Sequence, residues 1–368
     1  MPANKDNKRG TWTSRFEYKN WKGETKVVFK RGFATKREAL QYESDFRMRL
    51  AGDLDMSFEN FIKVYREERY TRIRESTSSM KDYIIDDKIL PYFGQMKMRD
   101  ISSSDVIKWQ NELLRIKKDS DGKPYSKTYL KTIHNQLSAV FNYAMRYYHL
   151  EKNPARIAGN IGSEDEIEMK FWTIEEYKKF SETMMEKPAY YYAFEVLYWL
   201  GLREGEMLAL CKEDLDFEKK TVTVNKTYQV VRGKELIGPP KTPKGRRIVS
   251  MPQELCDELQ DYLSMLYDLK DNQRIFELTK HGLYHEMKRG SEAAGVKKIR
   301  VHDLRHSHVS LLINMGYSAV AIGARVGHES TDITYKYAHL FPTVQNSMSD
   351  KLDGLMKEKE KADDNEDE

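Results

Sequence analysis

The sequence predicts an α+β protein that is mainly helical. A small N-terminal three-stranded sheet plus helix comes first, then a helical bundle, then a larger mixed α/β domain. Three observations carry this. β-formers alternate with charged residues over 10–33, a period of two. Apolar residues recur at i, i+3, i+4 and i+7 through 57–150, the pattern of amphipathic helices. Beyond residue 172, helical stretches flank a β-rich region at 220–250. The chain has 368 residues, so two or three domains are expected. The boundaries fall at 1–55, 56–152, a linker at 153–171, 172–356, and a charged tail at 357–368 that reads as disordered.

Each element has a local reason. Trp12, Phe16 and Tyr18 sit at even spacing, as do Val27 and Phe29, and Asn20 to Gly23 supplies turn chemistry between the two runs. Thr35 and Glu38 form a capping box that opens a helix to about Leu50. Ser57 precedes a first bundle helix with Phe58, Phe61, Ile62 and Tyr65 on one face. The second runs from about Ser78 to Ile89 and ends at Pro91-Tyr92-Phe93-Gly94. The third starts at Ser102 to Asp105 and carries Val106, Trp109, Leu113 and Ile116. The fourth covers about Ser126 to His149. Asn153-Pro154, Gly159, Gly162 and an acidic patch then break the periodicity. Thr173 and Glu176 give a second capping box, and helices follow at about 173–185, 188–201 and 204–211. Strands are expected at Thr221–Val224 and Arg246–Val249, with a basic loop from Gly238 to Gly245 between them. Helical segments continue to about Asp350.

The net charge of +4 is modest, but its distribution is not even. Residues 1–37 carry eleven Lys/Arg against Asp6, Glu17 and Glu24, about +8, and 357–368 carry three Lys against seven acids, about −4. A basic head on a near-neutral body is a footprint for polyanions, nucleic acid first. Arg15, Lys19, Lys22, Lys26, Lys30 and Arg31 lie along the predicted sheet, which could enter a DNA groove. A solvated hairpin face reads equally well from these residues alone. Cys211 and Cys256 lack metal-ligand spacing and read as free buried thiols of a reducing cytoplasm. No apolar run approaches the ~20 residues needed to span a bilayer, and the N-terminus has no signal-peptide core. A cytoplasmic protein is expected.

The stretch from Arg300 to Leu340 concentrates chemistry. It holds His302, Arg305, His306, Gly327-His328, Tyr335 and Tyr337. Attack on a phosphodiester needs a nucleophile, positive charge on the nonbridging oxygens, and a proton for the leaving oxygen. Arginine suits the second task because its planar fork binds phosphate bidentately and stays charged. Arg305 follows His302 by three residues, so both occupy one helix face. Upstream, Arg203 stands at a loop-to-helix junction, where backbone N–H groups also favour an anion. Lys241 and Lys244 both lie in the basic loop. Taken singly, each residue has an ordinary structural reading.

Together and in this order they resemble the tyrosine recombinase (phage integrase) family. The carrying residues are Gly-Leu-Arg-x-Gly-Glu at 201–206, Pro-Lys-Thr at 240–242, His-x-Leu-Arg-His at 302–306, Gly-His at 327–328, and Tyr337 before Ala338-His339. Val326 departs from the leucine usual before Gly-His, a conservative packing change. The likeness extends to integrases of Gram-positive temperate phages and integrative conjugative elements, with an arm-site domain, a helical core-binding domain and a mixed α/β catalytic domain. It implies that Tyr337 attacks the scissile phosphate, leaving a 3′-phosphotyrosyl link. Arg203, Arg305 and His328 would hold the nonbridging oxygens, Lys241 would protonate the leaving oxygen, and His302 would assist proton transfer or orient the phosphate. The Pro-Lys-Thr context favours Lys241 over Lys244, and the spacing from His328 favours Tyr337 over Tyr335.

The resemblance further implies double-stranded DNA with core-type and arm-type attachment sites as partner. It implies a homotetramer on that DNA, a directionality factor for excision, no metal or other cofactor, and no membrane. The segment Leu340 to Met356 would pack against a neighbouring protomer or cap its own domain. Two other functions fit the same residues: a type IB topoisomerase, against which the basic head argues, and a DNA-binding regulator without catalysis, against which the full residue set argues.

Overall fold

The computed structural model describes residues 3–6, 10–19, 25–51, 54–118, 122–163, 169–328 and 352–353. The chain forms two compact units, 1–166 and 167–368. The fold is α+β and mainly helical, as the sequence predicts.

In the first unit, β1 (Ala3–Asp6), β2 (Thr11–Lys19) and β3 (Thr25–Phe33) form an antiparallel sheet in the order β1-β2-β3. Helix α1 (Lys36–Ala51) covers one face. Phe16 and Tyr18 set their rings edge-on to Phe46, with centroids 5.1 and 4.8 Å apart. Thr35 Oγ1 accepts from the Glu38 N–H at 3.2 Å, the cap expected from the sequence. Side chains alternate across a strand, so the register sorts the cations of the head. Arg15 pairs with Phe29 and Thr13 with Arg31 on the face away from α1, whereas Lys26 pairs with Tyr18 and Lys30 with Ser14 on the helix side. The four of the six expected cations whose side chains are described are therefore split between two faces. Lys22 and the Lys19 side chain lie outside what is described.

The helical part of this unit contains α2 (Phe58–Arg69), α3 (Glu75–Ile84), α4 (Leu90–Phe93), α5 (Ser103–Arg115), α6 (Lys127–Tyr147) and α7 (Pro154–Ala158). Ser57, Ser102 and Ser126 cap α2, α5 and α6 by accepting from the N–H three residues on. Phe58, Phe61, Phe93, Trp109 and Phe141 fill the core together with Leu54 and Met56. The second predicted helix covers about 78–89 and ends within 91–94; the chain is helical from Glu75 to Phe93, with Gly94 as its cap. A π-turn at Ile85–Ile89 joins α3 to α4. Its wider spacing accommodates a proline, which has no N–H to donate and would crowd the carbonyl one turn back. The sequence also shows no helix at 153–158. Asn153 caps one there, accepting from the Arg156 N–H at 3.0 Å, and five residues are too few to display a period.

In the second unit, α8 (Ile174–Glu182), α9 (Pro188–Leu200) and α10 (Glu204–Met207) precede β4 (Leu215–Asp216), β5 (Thr221–Val224), β6 (Thr227–Val231), β7 (Lys234–Gly238) and β8 (Arg247–Ser250). Then come α11 (Gln253–Met265), α12 (Lys280–Ala293), α13 (Asp303–Asn314) and α14 (Ala319–Val326). One sheet has the order β4-β5-β8, and β6-β7 is a separate hairpin. Its two-residue turn, Arg232-Gly233, has φ of 51° and 76°, the positive pair that matches the twist of the flanking strands. Apolar α9 lies in the core with Trp172, Tyr177, Phe180 and Leu304. Cys211 and Cys256 are buried free thiols. Among the described residues no helix is long and apolar enough to cross a membrane.

Candidate active site

Two glycines set the positions of the candidate arginines. Helix α9 ends at Gly201, which takes a left-handed φ of 61°. A side chain there would be strained, and its Cβ would lie 2.5 Å from His308 Cδ2. The turn brings Arg203 to the start of α10. There the Glu206 carboxylate accepts from the Arg203 N–H at 2.9 Å and from its Nη1 at 2.7 Å. Helix α14 ends at Gly327, again left-handed at 72°. The N–H groups of Gly327 and His328 both donate to Gly323 O, at 2.8 and 2.9 Å, and this fixes where His328 leaves the helix.

The last carbonyls of a helix have no partner within it and form the negative end of its dipole. Three arginines from three other elements take the carbonyls at the end of α14. Arg247 Nε donates to Arg325 O at 2.8 Å, Arg305 Nη2 donates to Val326 O, and Arg203 Nη2 donates to Gly327 O at 3.2 Å. Arg305 also donates from Nη1 to Gly201 O at 2.7 Å, so one guanidinium ties both glycine turns together. Arg305 is only 3% exposed, while the Arg203 side chain is 39% exposed.

Glu206 is the counter-ion of this cluster. Arg247 donates to both of its oxygens, at 3.2 and 2.9 Å. Burial opposes its ionisation, but the hydrogen bonds from Arg247 and Arg203 outweigh burial and hold the carboxyl below its usual range. The histidines move in the other sense. Burial, then the charges of Arg305 and Arg203, lowers His328 to about 4. His302, at the N-terminal boundary of α13, is lowered to about 4 by solvent lost around its ring, then by His306 and Arg305. Its outer edge stays exposed. The two rings, His302 and His306, meet edge-on at 5.1 Å. Both His302 and His328 are therefore neutral near pH 7 and can donate through one ring N–H. Among the described residues no group of three His, Cys, Asp or Glu could hold a metal ion.

The comparisons with known proteins agree with one another. Residues 170–343 match the model of the phage integrase family, 57–114 that of a phage integrase N-terminal SAM-like domain, and 2–49 that of an arm DNA-binding domain. The chain belongs to the phage integrase family. It is thus a DNA recombinase of the tyrosine recombinase class. The ICEBs1 integrase of Bacillus subtilis is 28% identical over 88% of this chain and 91% of its own length. The putative prophage phiRv2 integrase of Mycobacterium tuberculosis is 26% identical over 73% of this chain and 70% of its own. Among solved structures, the Tn1549 transposon integrase in complex with transposon right end DNA superposes with a TM-score of 0.62 at 19% identity, over 77% of this chain and 94% of that one. A lambda integrase tetramer bound to a Holliday junction superposes with a TM-score of 0.56 at 17% identity, over 90% and 93%. These two likenesses concern the fold.

In this recombinase the residues read from the sequence are not all equally placed. Arg203, Arg305 and His328 converge on the end of α14, and His302 lies one turn before Arg305. Lys241 is exposed in the loop between β7 and β8. That loop reaches the α14 end through Lys244, whose carbonyl would be 2.8 Å from a Cβ on Gly327. Tyr335, Tyr337 and the segment from Leu340 to Met356 lie outside the described residues, Leu352 and Asp353 apart. Two residues of the cluster were not singled out from the sequence. Glu206 stood in the quoted Gly-Leu-Arg-x-Gly-Glu motif, so its signal was there to read. Arg247 follows the basic loop as one more cation and carries no such signal.

Proposed function

We propose that this recombinase is the integrase of a mobile element such as a prophage or conjugative element, and that it cuts and rejoins DNA through a 3′-phosphotyrosyl intermediate. Tyr337 attacks the scissile phosphate. Arg203 and Arg305 hold the nonbridging oxygens as charge builds on them, with His328 donating a further hydrogen bond. Lys241 protonates the leaving 5′-oxygen, and His302 assists proton transfer or orients the phosphate. The covalent link conserves the phosphodiester's energy, so rejoining needs no ATP.

The observation that carries this reading is the cluster at the end of α14. Arg203 and Arg305 are held there by fixed carbonyls beside a neutral histidine, so their geometry exists before substrate arrives. Preorganised charge of this kind stabilises a transition state without reorganisation. The partner is double-stranded DNA. Residues 1–55 bind arm-type sites, 56–152 and 172–356 bind and process core-type sites across the linker 153–171, and four protomers assemble for strand exchange. The tetramer of lambda integrase on a Holliday junction supports that assembly. A directionality factor would bias excision, and the work takes place in the cytoplasm of the host cell.

A nicked suicide duplex carrying the attachment-site core tests the reading. Wild type should trap a covalent protein–DNA adduct, and Tyr337→Phe should trap none. An adduct with Tyr337→Phe would reject that nucleophile, and the absence of any adduct with wild type would reject the mechanism.

A further inference from the structure

Arg247 is the third arginine at the end of α14, and it differs from the other two. Its side chain is 6% exposed, so it is poorly placed to touch DNA. Its four hydrogen bonds all run inward, to three separate points of the chain. Nε donates to Arg325 O at 2.8 Å. Nη1 donates to Gly245 O at 3.0 Å and to Glu206 Oε1 at 3.2 Å, and Nη2 donates to Glu206 Oε2 at 2.9 Å. Gly245 closes the short 3₁₀ turn Pro243–Gly245 of the loop that carries Lys241. Glu206 orients Arg203. Arg325 O lies three residues before His328.

We propose that Arg247 is a positioning residue for the strand-cleavage step. One buried guanidinium ties the lysine-bearing loop to Glu206 and to the end of α14, while Arg203 and Arg305 keep their own bonds to Gly327 O and Val326 O. The inference rests on the recombinase mechanism proposed above and adds a residue that touches none of the reacting atoms. The planar fork of arginine is what this task needs. A lysine in its place keeps the charge beside Glu206, but its single ammonium cannot reach Glu206, Gly245 O and Arg325 O along three fixed directions. The closeness of packing fits the role. A Cβ on Gly327 would lie 3.2 Å from Arg247 Nη1 and 2.8 Å from Lys244 O, so the loop, the arginine and the α14 turn are already in contact.

The test separates proton delivery from general damage. Two nicked duplexes carry the attachment-site core, one with ordinary chemistry and one with a 5′-bridging sulfur at the scissile phosphate. A thiolate leaves without a proton, so a misplaced Lys241 matters much less on the sulfur substrate. General acid catalysis contributes roughly 10²–10⁴-fold. Arg247→Lys should therefore cleave ordinary DNA at least about tenfold more slowly than wild type and regain most of that loss on the sulfur substrate. In an Arg247→Lys/Lys241→Ala double variant, the two losses on ordinary DNA should not multiply.

A second variant, Gly245→Ala, moves the same loop from its other side. Its Cβ would meet Pro240 Cβ at 2.5 Å, and the Arg247–Glu206 ion pair keeps both of its side chains. It should show the same selective loss and the same rescue by sulfur. Equal losses on both substrates for both variants, with wild type cleaving each, would overturn the role of Arg247. Wild type that forms no adduct on either substrate would instead reject the underlying mechanism.

Discussion

Replacing Glu206 with alanine removes the one carboxylate at the centre of the arginine cluster. Glu206 accepts from the Arg203 N–H, from Arg203 Nη1, and from both Nη atoms of Arg247. Its side chain is 2% exposed and that of Arg247 is 6% exposed. Removing one partner of a buried pair costs about 3–5 kcal/mol, because the other charge stays buried without compensation. Arg203 is 39% exposed and regains water, so its share is small. The lower end, about 3 kcal/mol, is the expected loss. For a unit of this size about 3 °C of melting temperature goes with each kcal/mol, which gives a fall of roughly 9 °C. Differential scanning calorimetry of the full chain at pH 7 measures it in the transition of the unit 167–368. The pH dependence follows from the depressed carboxyl. Its stabilising effect is full above the ordinary carboxylate value of about 4.3 and is lost as pH falls through the lower value it has in the fold. The gap between wild type and Glu206→Ala should therefore close on acidification. A fall of under about 2 °C at pH 7, or a gap that widens in acid, would refute the buried-pair reasoning.

Three further outcomes are expected. Gly201→Ala must place a Cβ 2.5 Å from His308 at a φ of 61°. It should cost at least ~2 kcal/mol by urea unfolding, and a variant within ~0.5 kcal/mol of wild type would contradict the packing. His328 and His308 are lowered to about 4 and about 3 by burial first and by nearby arginines second. They stay neutral in the fold after the unfolded chain has protonated at about 6.5, so stability should drop as pH falls from about 6.5 towards 4, by up to ~3 kcal/mol for His328 alone. A unit 167–368 whose melting temperature is flat over that range would show that these rings are not shielded. In the head, Arg15 and Arg31 share the sheet face away from α1. On arm-site DNA, alanine at either should lower the salt slope of binding by about one phosphate contact, while Lys30→Ala changes it less, and the reverse ranking would put the other face on the DNA.

The helices of the bundle and the two capping boxes were legible because helical period and cap chemistry are local. The π-turn that carries the second helix past Ile89 was not, since it lies outside any propensity rule. The candidate site divides in the same way. Arg203, His302, Arg305 and His328 stand in short motifs whose glycines and spacings survive in one dimension. The row of cations in the head looked uniform along the chain and was sorted onto two faces only by strand register.

The sequence by itself determined which groups carry charge and which can donate a proton. Gly201 reads as the last residue of a helix at 188–201, and its left-handed φ, like that of Gly327, came with the fold. Only the tertiary structure decided that those two turns meet through Arg305, whose acceptor at Gly201 is 104 residues away. It alone showed that the free carbonyls of α14 are what orient the arginines. It also gave Arg247 its place, because a hub is defined by its partners, and those of Arg247 lie 41 and 78 residues distant. Local chemistry is written residue by residue, while a shared acceptor exists only once distant segments have packed.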